Sequence, residues 1–360
     1  MHLFFGGICQ KTKKIVELKI RLWYHEAKYI VLFSEEKRRK GTFSMSSFVI
    51  IPDASSDLTK ELRDRFNIPG YIKGTIYFPD GREAVADLDW ELIDPVTYYE
   101  TMSDRKTLYK TASAQRGDVF SVYEHFLSEG KDILSITLSS GLSGTNQMCQ
   151  KVAQELMERY PERKIVVVDS LRYSTALSLL VIMASQKQQE GCTLEETAAF
   201  LEQNKHRVHQ IGPMDDMFFL CKTGRVSNFK AFFGTLIGIN PMADFNRHGM
   251  SQVLGKFKGK KRAFDAVIEY MKATIEQPRE QVVFVAHSNR EQSAKVLAQR
   301  IQEEFSPKEI IINHVGMSCG ASIGPGLCAA FYYGKEISEG MEYEQALMNS
   351  IIEGQKQRGV

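Results

Sequence analysis

The sequence predicts an α/β protein of two α/β domains, the first a mostly parallel sheet sandwiched by helices and the second another α/β unit. Three observations carry this. From Met45 onward, short apolar runs alternate with helix-length segments. The runs are apolar throughout rather than alternating, as in strands covered on both faces. The length, 360 residues, suits two domains at roughly 100–200 residues each.

The elements follow in order. Residues 48–51 read as a buried first strand, with Ser56 or Asp57 as candidate cap of a helix reaching Phe66. Residues 71–78 form a strand, and Pro79-Asp80-Gly81 a turn. Asp94-Pro95 opens a helix through Met102, and 118–128 is helical, closed by Gly130. A strand over 132–138, a helix over 145–159 and a strand over 164–168 come next, then helices over 175–189 and 194–205 split at Gly191. The second block starts near Val208. It holds the runs 217–220 and 251–257, a helix from Arg262, the run 282–286, a helix over 290–305 and the run 309–315. The Gly-rich apolar stretch 321–333 carries the last strand. Residues 342–355 form a helix with Tyr343, Leu347 and Ile351 on one stripe. The expected division is 45–207, 208–335 and a helical tail, 336–360.

Residues 1–44 read as an addition. They hold ten Lys/Arg against four Asp/Glu, a local +6 within a total of +2, which leaves the remainder at −4. Two readings stand side by side: Met45 as the true start, with the Lys37–Ser44 stretch a purine-rich ribosome-binding site read as protein, or a genuine basic extension. Hydrophobic residues at 43% and charged ones at 25% exclude disorder as a description of the whole chain. The mildly acidic remainder argues against nucleic-acid binding, which needs a clustered basic face. No apolar run approaches the ~18 residues of a membrane span. Residues 1–9 are apolar, without the charged start and small-residue cleavage site of a signal peptide. Six cysteines at 9, 149, 192, 221, 319 and 328 make no C-x-x-C pair, the pattern of reduced, packed thiols in a cytoplasm. His206 and His209 are close in sequence but lack local ligand partners, so a surface helix rather than a metal site is expected there.

Chemistry concentrates in Ser139-Ser-Gly-Leu-Ser-Gly-Thr145. A strand, a Gly/Ser turn and a helix N-terminus offer free amides and hydroxyls to an anion. No lysine follows, so this is not a P-loop. A nucleophile elbow on Ser143 would make a serine hydrolase with His287 or His314 as base, but Thr145 crowds the sharp turn. Other polar clusters are Lys110–Gln115, Lys222–Ser227 and the Gly316–Gly326 stretch.

In order, Asp53-Ala-Ser-Ser-Asp57-Leu, Lys110-Thr111, the Ser139–Thr145 run, Asp169-Ser170, Lys222-Thr-Gly-Arg225-Val and Gly324-Pro-Gly326 resemble the DegV family of bacterial fatty-acid-binding proteins. The resemblance covers about Met45 to Phe331. It implies two α/β domains enclosing one long-chain fatty acid, with the carboxylate in a cleft between them and the acyl chain in an apolar tunnel. It also implies a cytoplasmic carrier with no catalysis of its own, no metal and no cofactor beyond the bound acid. Some members present the acid to a separate fatty acid kinase for phospholipid synthesis. The family's carboxylate-binding threonine falls on Thr111, and its serine on Ser143, with Ser140 close behind and Gly144 supplying an amide. Asp53, Ser55 and Arg225 are expected at the cleft or at a partner. A histidine that commonly reaches the carboxylate is replaced by Ser322; losing a charge-assisted bond costs about 1.5–3 kcal/mol. The expected tunnel lining is Phe218, Phe219, Phe232, Phe233, Leu236, Ile237 and Met242. The basic run Lys256, Lys258, Lys260, Lys261 and Arg262 reads as a solvated loop and helix start, or as a face for an acidic kinase or a membrane surface. A member that has lost its lipid and acts through protein contacts is the remaining alternative.

Overall fold

The computed structural model describes residues 48–358, apart from 216 and 228–238. Residues 1–44, Phe232, Phe233, Leu236 and Ile237 therefore lie outside the described residues. In chain order the elements are β1 (Phe48–Pro52), α1 (Lys60–Arg65), β2 (Gly74–Tyr77), β3 (Glu83–Ala86), α2 (Pro95–Thr101), β4 (Lys110–Ala112), α3 (Arg116–Ser128), β5 (Asp132–Thr137), α4 (Thr145–Arg159), β6 (Ile165–Asp169), α5 (Thr175–Gln189) and α6 (Leu194–Asn204). Then follow β7 (Val208–Ile211), α7 (Phe218–Thr223), β8 (Val226–Ser227), β9 (Ile239–Phe245), β10 (Ser251–Lys258), α8 (Lys260–Thr274), β11 (Val282–His287), α9 (Glu291–Phe305), β12 (Glu309–His314), α10 (Met317–Ile323), β13 (Cys328–Tyr333) and α11 (Glu342–Gln357).

β1, β5 and β6 form a parallel sheet, with Phe48 opposite Asp132 and Ile133 opposite Ile165. Side chains alternate faces along a strand. Ile51 and Ile133 enter one core with Val119, Tyr123, Val152 and Leu156 of α3 and α4. Ile50, Leu134 and Ile136 enter the other, against Leu177 and Leu180 of α5. Both faces are thus covered, as the unbroken apolar runs require.

α5 is buried from Thr175 through Ile182, as a helix apolar on all sides should be. It packs on β1 and β5 and also on β7, β11 and β13. The latter belong to a mixed sheet ordered β12-β11-β13-β7, in which only β11 and β12 run parallel. One helix therefore serves two sheets and fixes their spacing. A third sheet, β3-β2-β4, is antiparallel and joins the end of β1 through a bridge between Asp53 and Ile72. The fourth pairs β10 with β9 antiparallel and with β8 parallel.

Several expectations need correction. The first helix begins at Lys60 with Thr59 as its cap; Asp57 is instead buried, in a left-handed turn at φ +56°. His209 lies on β7 and is fully buried, not on a surface helix. Residues 317–323 add the helix α10 ahead of the last strand. Residues 110–112, within the polar cluster Lys110–Gln115, form strand β4. On α11 the buried positions are Glu344, Met348, Ile351 and Gln355, while Tyr343 stays 43% exposed. Among the described residues no helix is long and apolar enough to cross a membrane.

Candidate functional site

Several chain segments meet at one pocket, among them the loop after β1, strand β4 with the residues after it, the turn between β5 and α4, helix α10 and the residues leading into β2. Asp53 fixes the first to the third. One of its oxygens accepts from Ser55 N at 2.7 Å and the other from Leu138 N at 2.7 Å. Its carboxyl is pushed above the usual range by burial, against the pull of those two amides.

The Ser/Gly turn is braced by hydroxyls. Ser143 Oγ lies 3.0 Å from Ser113 Oγ and 3.0 Å from Thr145 Oγ1. Ser113 Oγ accepts from Gly144 N at 3.2 Å, and Thr145 Oγ1 accepts from Ala114 N at 3.2 Å. Each hydroxyl carries one proton. Three hydroxyls sharing two links keep one proton over, which a ligand acceptor can take. Thr111 stands on β4 opposite Ile76. Ser318 and Ser322 lie one turn apart on α10 and share the pocket wall.

The cavity has about 800 Å³ of empty space, open mouth included. Tyr173, Leu220 and Ile323 line it and also line a second cavity, with about 450 Å³ of empty space, open mouth included. The second is mostly apolar, walled by Met214, Met217, Val226, Pro241, Ala243, Val253, Leu327 and Ala329. A hydroxyl-rich chamber thus adjoins a greasy one through shared walls.

Of the residues named from sequence, Thr111, Ser143, Ser322, Asp53, Ser55 and Arg225 line this pocket. Ser140 does not: it is exposed, and its amide is held by Asp169 Oδ1 at 3.1 Å. Gly144 also stays off the wall, because its amide serves Ser113; the Thr145 amide likewise goes to Ser143 Oγ at 3.3 Å. The helix-end amides support the hydroxyls rather than face the cavity. Phe218, Phe219 and Met242 do not line either chamber. Phe219 packs so tightly on Gly324 that a Cβ there would sit 2.1 Å from its ring, so Gly324 is required for that contact. Neither His287 nor His314 is among the pocket's lining residues; their rings pack on each other with centroids 4.3 Å apart. Among the described residues no cluster of three metal-ligating side chains occurs.

Sequence reasoning missed Lys73, Ser113 and Ser318 as wall residues. The one-turn spacing of Ser318 and Ser322 in a small-residue stretch was the available signal for α10. Ser113 reaches the site only through the fold.

Asp57, in the same loop after β1, joins α5 to α10. Its carboxylate accepts from the Ser174 hydroxyl at the start of α5 and from Gly316 N at 2.9 Å, just before α10. Burial raises its pKa to about 7. The folded state therefore holds this proton more tightly than the unfolded chain, whose carboxyl titrates near 3.8. The associated stability is complete below that value and is lost as pH rises towards about 7, a change of order 4 kcal/mol. Asp57→Asn keeps a neutral group of the same shape. Its stability relative to wild type should rise between about pH 4 and about pH 7, read from urea midpoints. A difference that stays flat would contradict the assignment.

A family model described as an uncharacterised protein of the DegV family matches residues 47–335. A DegV domain-containing protein from Clostridium perfringens is 30% identical over 290 residues, 81% of this chain and 98% of that protein. A Thermus thermophilus DegV family structure, described by its fatty acid binding, is 25% identical with a TM-score of 0.71, covering 80% of this chain and 100% of that one. The Streptococcus pneumoniae fatty acid kinase B3 protein, solved loaded with linoleic acid, shares the fold at 22% identity and a TM-score of 0.68, over 80% and 100% of the two chains.

Proposed function

The chain belongs to the DegV family, and from that premise we propose that it binds one long-chain fatty acid and carries it without chemical change. The carboxylate rests against Thr111 and the Ser113–Ser143–Thr145 hydroxyls, with Ser322 alongside. The acyl chain passes Tyr173, Leu220 and Ile323 into the apolar chamber. The observation that supports this most is the adjacency of the two chambers, which share Tyr173, Leu220 and Ile323 as walls. An acid needs a place for one charge and a long dry channel, and burial contributes about 0.8 kcal/mol per methylene. Hydroxyl donors keep the carboxylate from being buried unpaired.

The division of the chain at 207/208, with 336–360 as a helical tail, belongs to the same reading. So does a cytoplasmic carrier that hands its ligand to a separate acyl kinase. Neither His287 nor His314, the bases the hydrolase reading calls on, lines the pocket with Ser143, so that reading has no supporting observation.

The test is Thr111→Val, which removes a hydroxyl at nearly constant volume. Affinity for the free acid should fall about tenfold, while affinity for its methyl ester stays within about twofold of wild type. Calorimetry or probe displacement measures both. Equal losses would place the carboxylate elsewhere.

A further inference from the structure

We propose that Lys73 supplies the positive charge that neutralises the ligand's head group, which makes it the residue that selects an acid over a neutral lipid. This rests on the fatty-acid reading above and deepens it. The hydroxyls of Thr111, Ser113, Ser143, Ser318 and Ser322 are all neutral donors. A carboxylate held by them alone would bring an uncompensated charge into a partly buried site. The described wall contains two cations, Lys73 and Arg225.

Their circumstances differ. Arg225 follows α7 on an exposed turn, and its guanidinium donates back to the Thr223 carbonyl of that turn. Lys73 is fixed on both sides. Ile72 before it bridges Asp53, and Gly74 after it starts β2 against Ala54, with Ser318 Oγ 3.8 Å from where a Cβ would stand. Gly74 is thereby placed beside Ser318 of α10, and Lys73, exposed and part of the pocket wall, precedes it by one residue.

Among the described residues the Lys73 ammonium has no ion pair. The acid in the described wall, Asp53, already has each oxygen accepting an amide hydrogen bond. A lysine on a four-carbon stem can swing its charge inward when an anion arrives. A charge-assisted pair of this kind is stronger than a neutral hydrogen bond.

The experiment measures binding of oleic acid and of oleyl alcohol to wild type, Lys73→Met and Lys73→Arg. Lys73→Met keeps the apolar stem and removes the charge. Its affinity for the acid should drop about tenfold to a hundredfold while its affinity for the alcohol is unchanged, and Lys73→Arg should stay within about threefold of wild type for both. Wild-type affinity for the acid in Lys73→Met overturns the proposal and leaves the lipid reading intact. Equal losses for acid and alcohol also overturn it, since they assign Lys73 a packing role. Wild-type protein that takes up neither lipid overturns the fatty-acid reading and this assignment with it.

Discussion

Replacing Asp244 with alanine should lower the unfolding free energy by about 3–5 kcal/mol. Asp244 lies on β9 with its side chain fully buried. One oxygen lies 2.6 Å from His209 Nδ1 and accepts from Tyr270 Oη at 2.9 Å. The other accepts from the amides of Gln210 at 2.9 Å and Phe245 at 2.7 Å. His209 Nε2 in turn meets the Lys335 carbonyl at 2.8 Å. Both ring nitrogens thus have oxygen partners. Alanine at 244 would leave His209 Nδ1 and three donors without their partner in the dry core, and unmade buried bonds cost more than made ones gain. Asp244→Asn keeps one acceptor oxygen and should lose less. Urea unfolding measures both, and a loss below about 1 kcal/mol for the alanine variant would contradict the account.

Ala243, the next residue, faces the other way along the same strand. It lines the apolar chamber with Pro241 of β9 and with Ser251 and Val253 of β10. Ala243→Phe should fill the far end of the acyl path. If the ring excludes about four methylenes, the loss is about 3 kcal/mol, two decades of affinity. Octadecanoic acid should therefore bind at least about a hundredfold more weakly to the variant. Octanoic acid, too short to reach the obstruction, should bind within about twofold of wild type. Overpacking itself costs about 1–3 kcal/mol of stability, and the unchanged octanoic acid affinity controls for it. Displacement of a fluorescent fatty acid reads both. If octanoic acid weakened equally, the site would be distorted rather than blocked; if neither changed, the chain would run elsewhere.

Sequence made the local elements legible and left the non-local ones obscure. The helices Thr145–Arg159 and Thr175–Gln189 end where their patterns end, because apolar spacing and flanking Ser, Gly and Thr act within a few residues. The unbroken apolar face of α5 announced burial but not that two sheets share it. His209 was misplaced because its partners, Asp244, Tyr270 and Lys335, come from distant strands and helices, and no local pattern reports them. The site shows the same division. Thr111, Ser143 and Ser322 stood in motifs of recognisable order, whereas Lys73 and Ser113 reach the cavity only through the pairing of β4 with β2 and the packing of the Ser/Gly turn. Asp57 resembled a helix cap by composition; Thr59, two residues on, already accepts the amide of Leu62, so Asp57 is free to join α5 to α10.

Native mass spectrometry of freshly purified protein, followed by extraction and identification of what it releases, tests the central claim most directly. The account predicts wild-type protein carrying one long-chain acid per chain and Ala243→Phe protein that has lost it. A wild-type chain that is always empty, or that holds a neutral lipid instead, would contradict it.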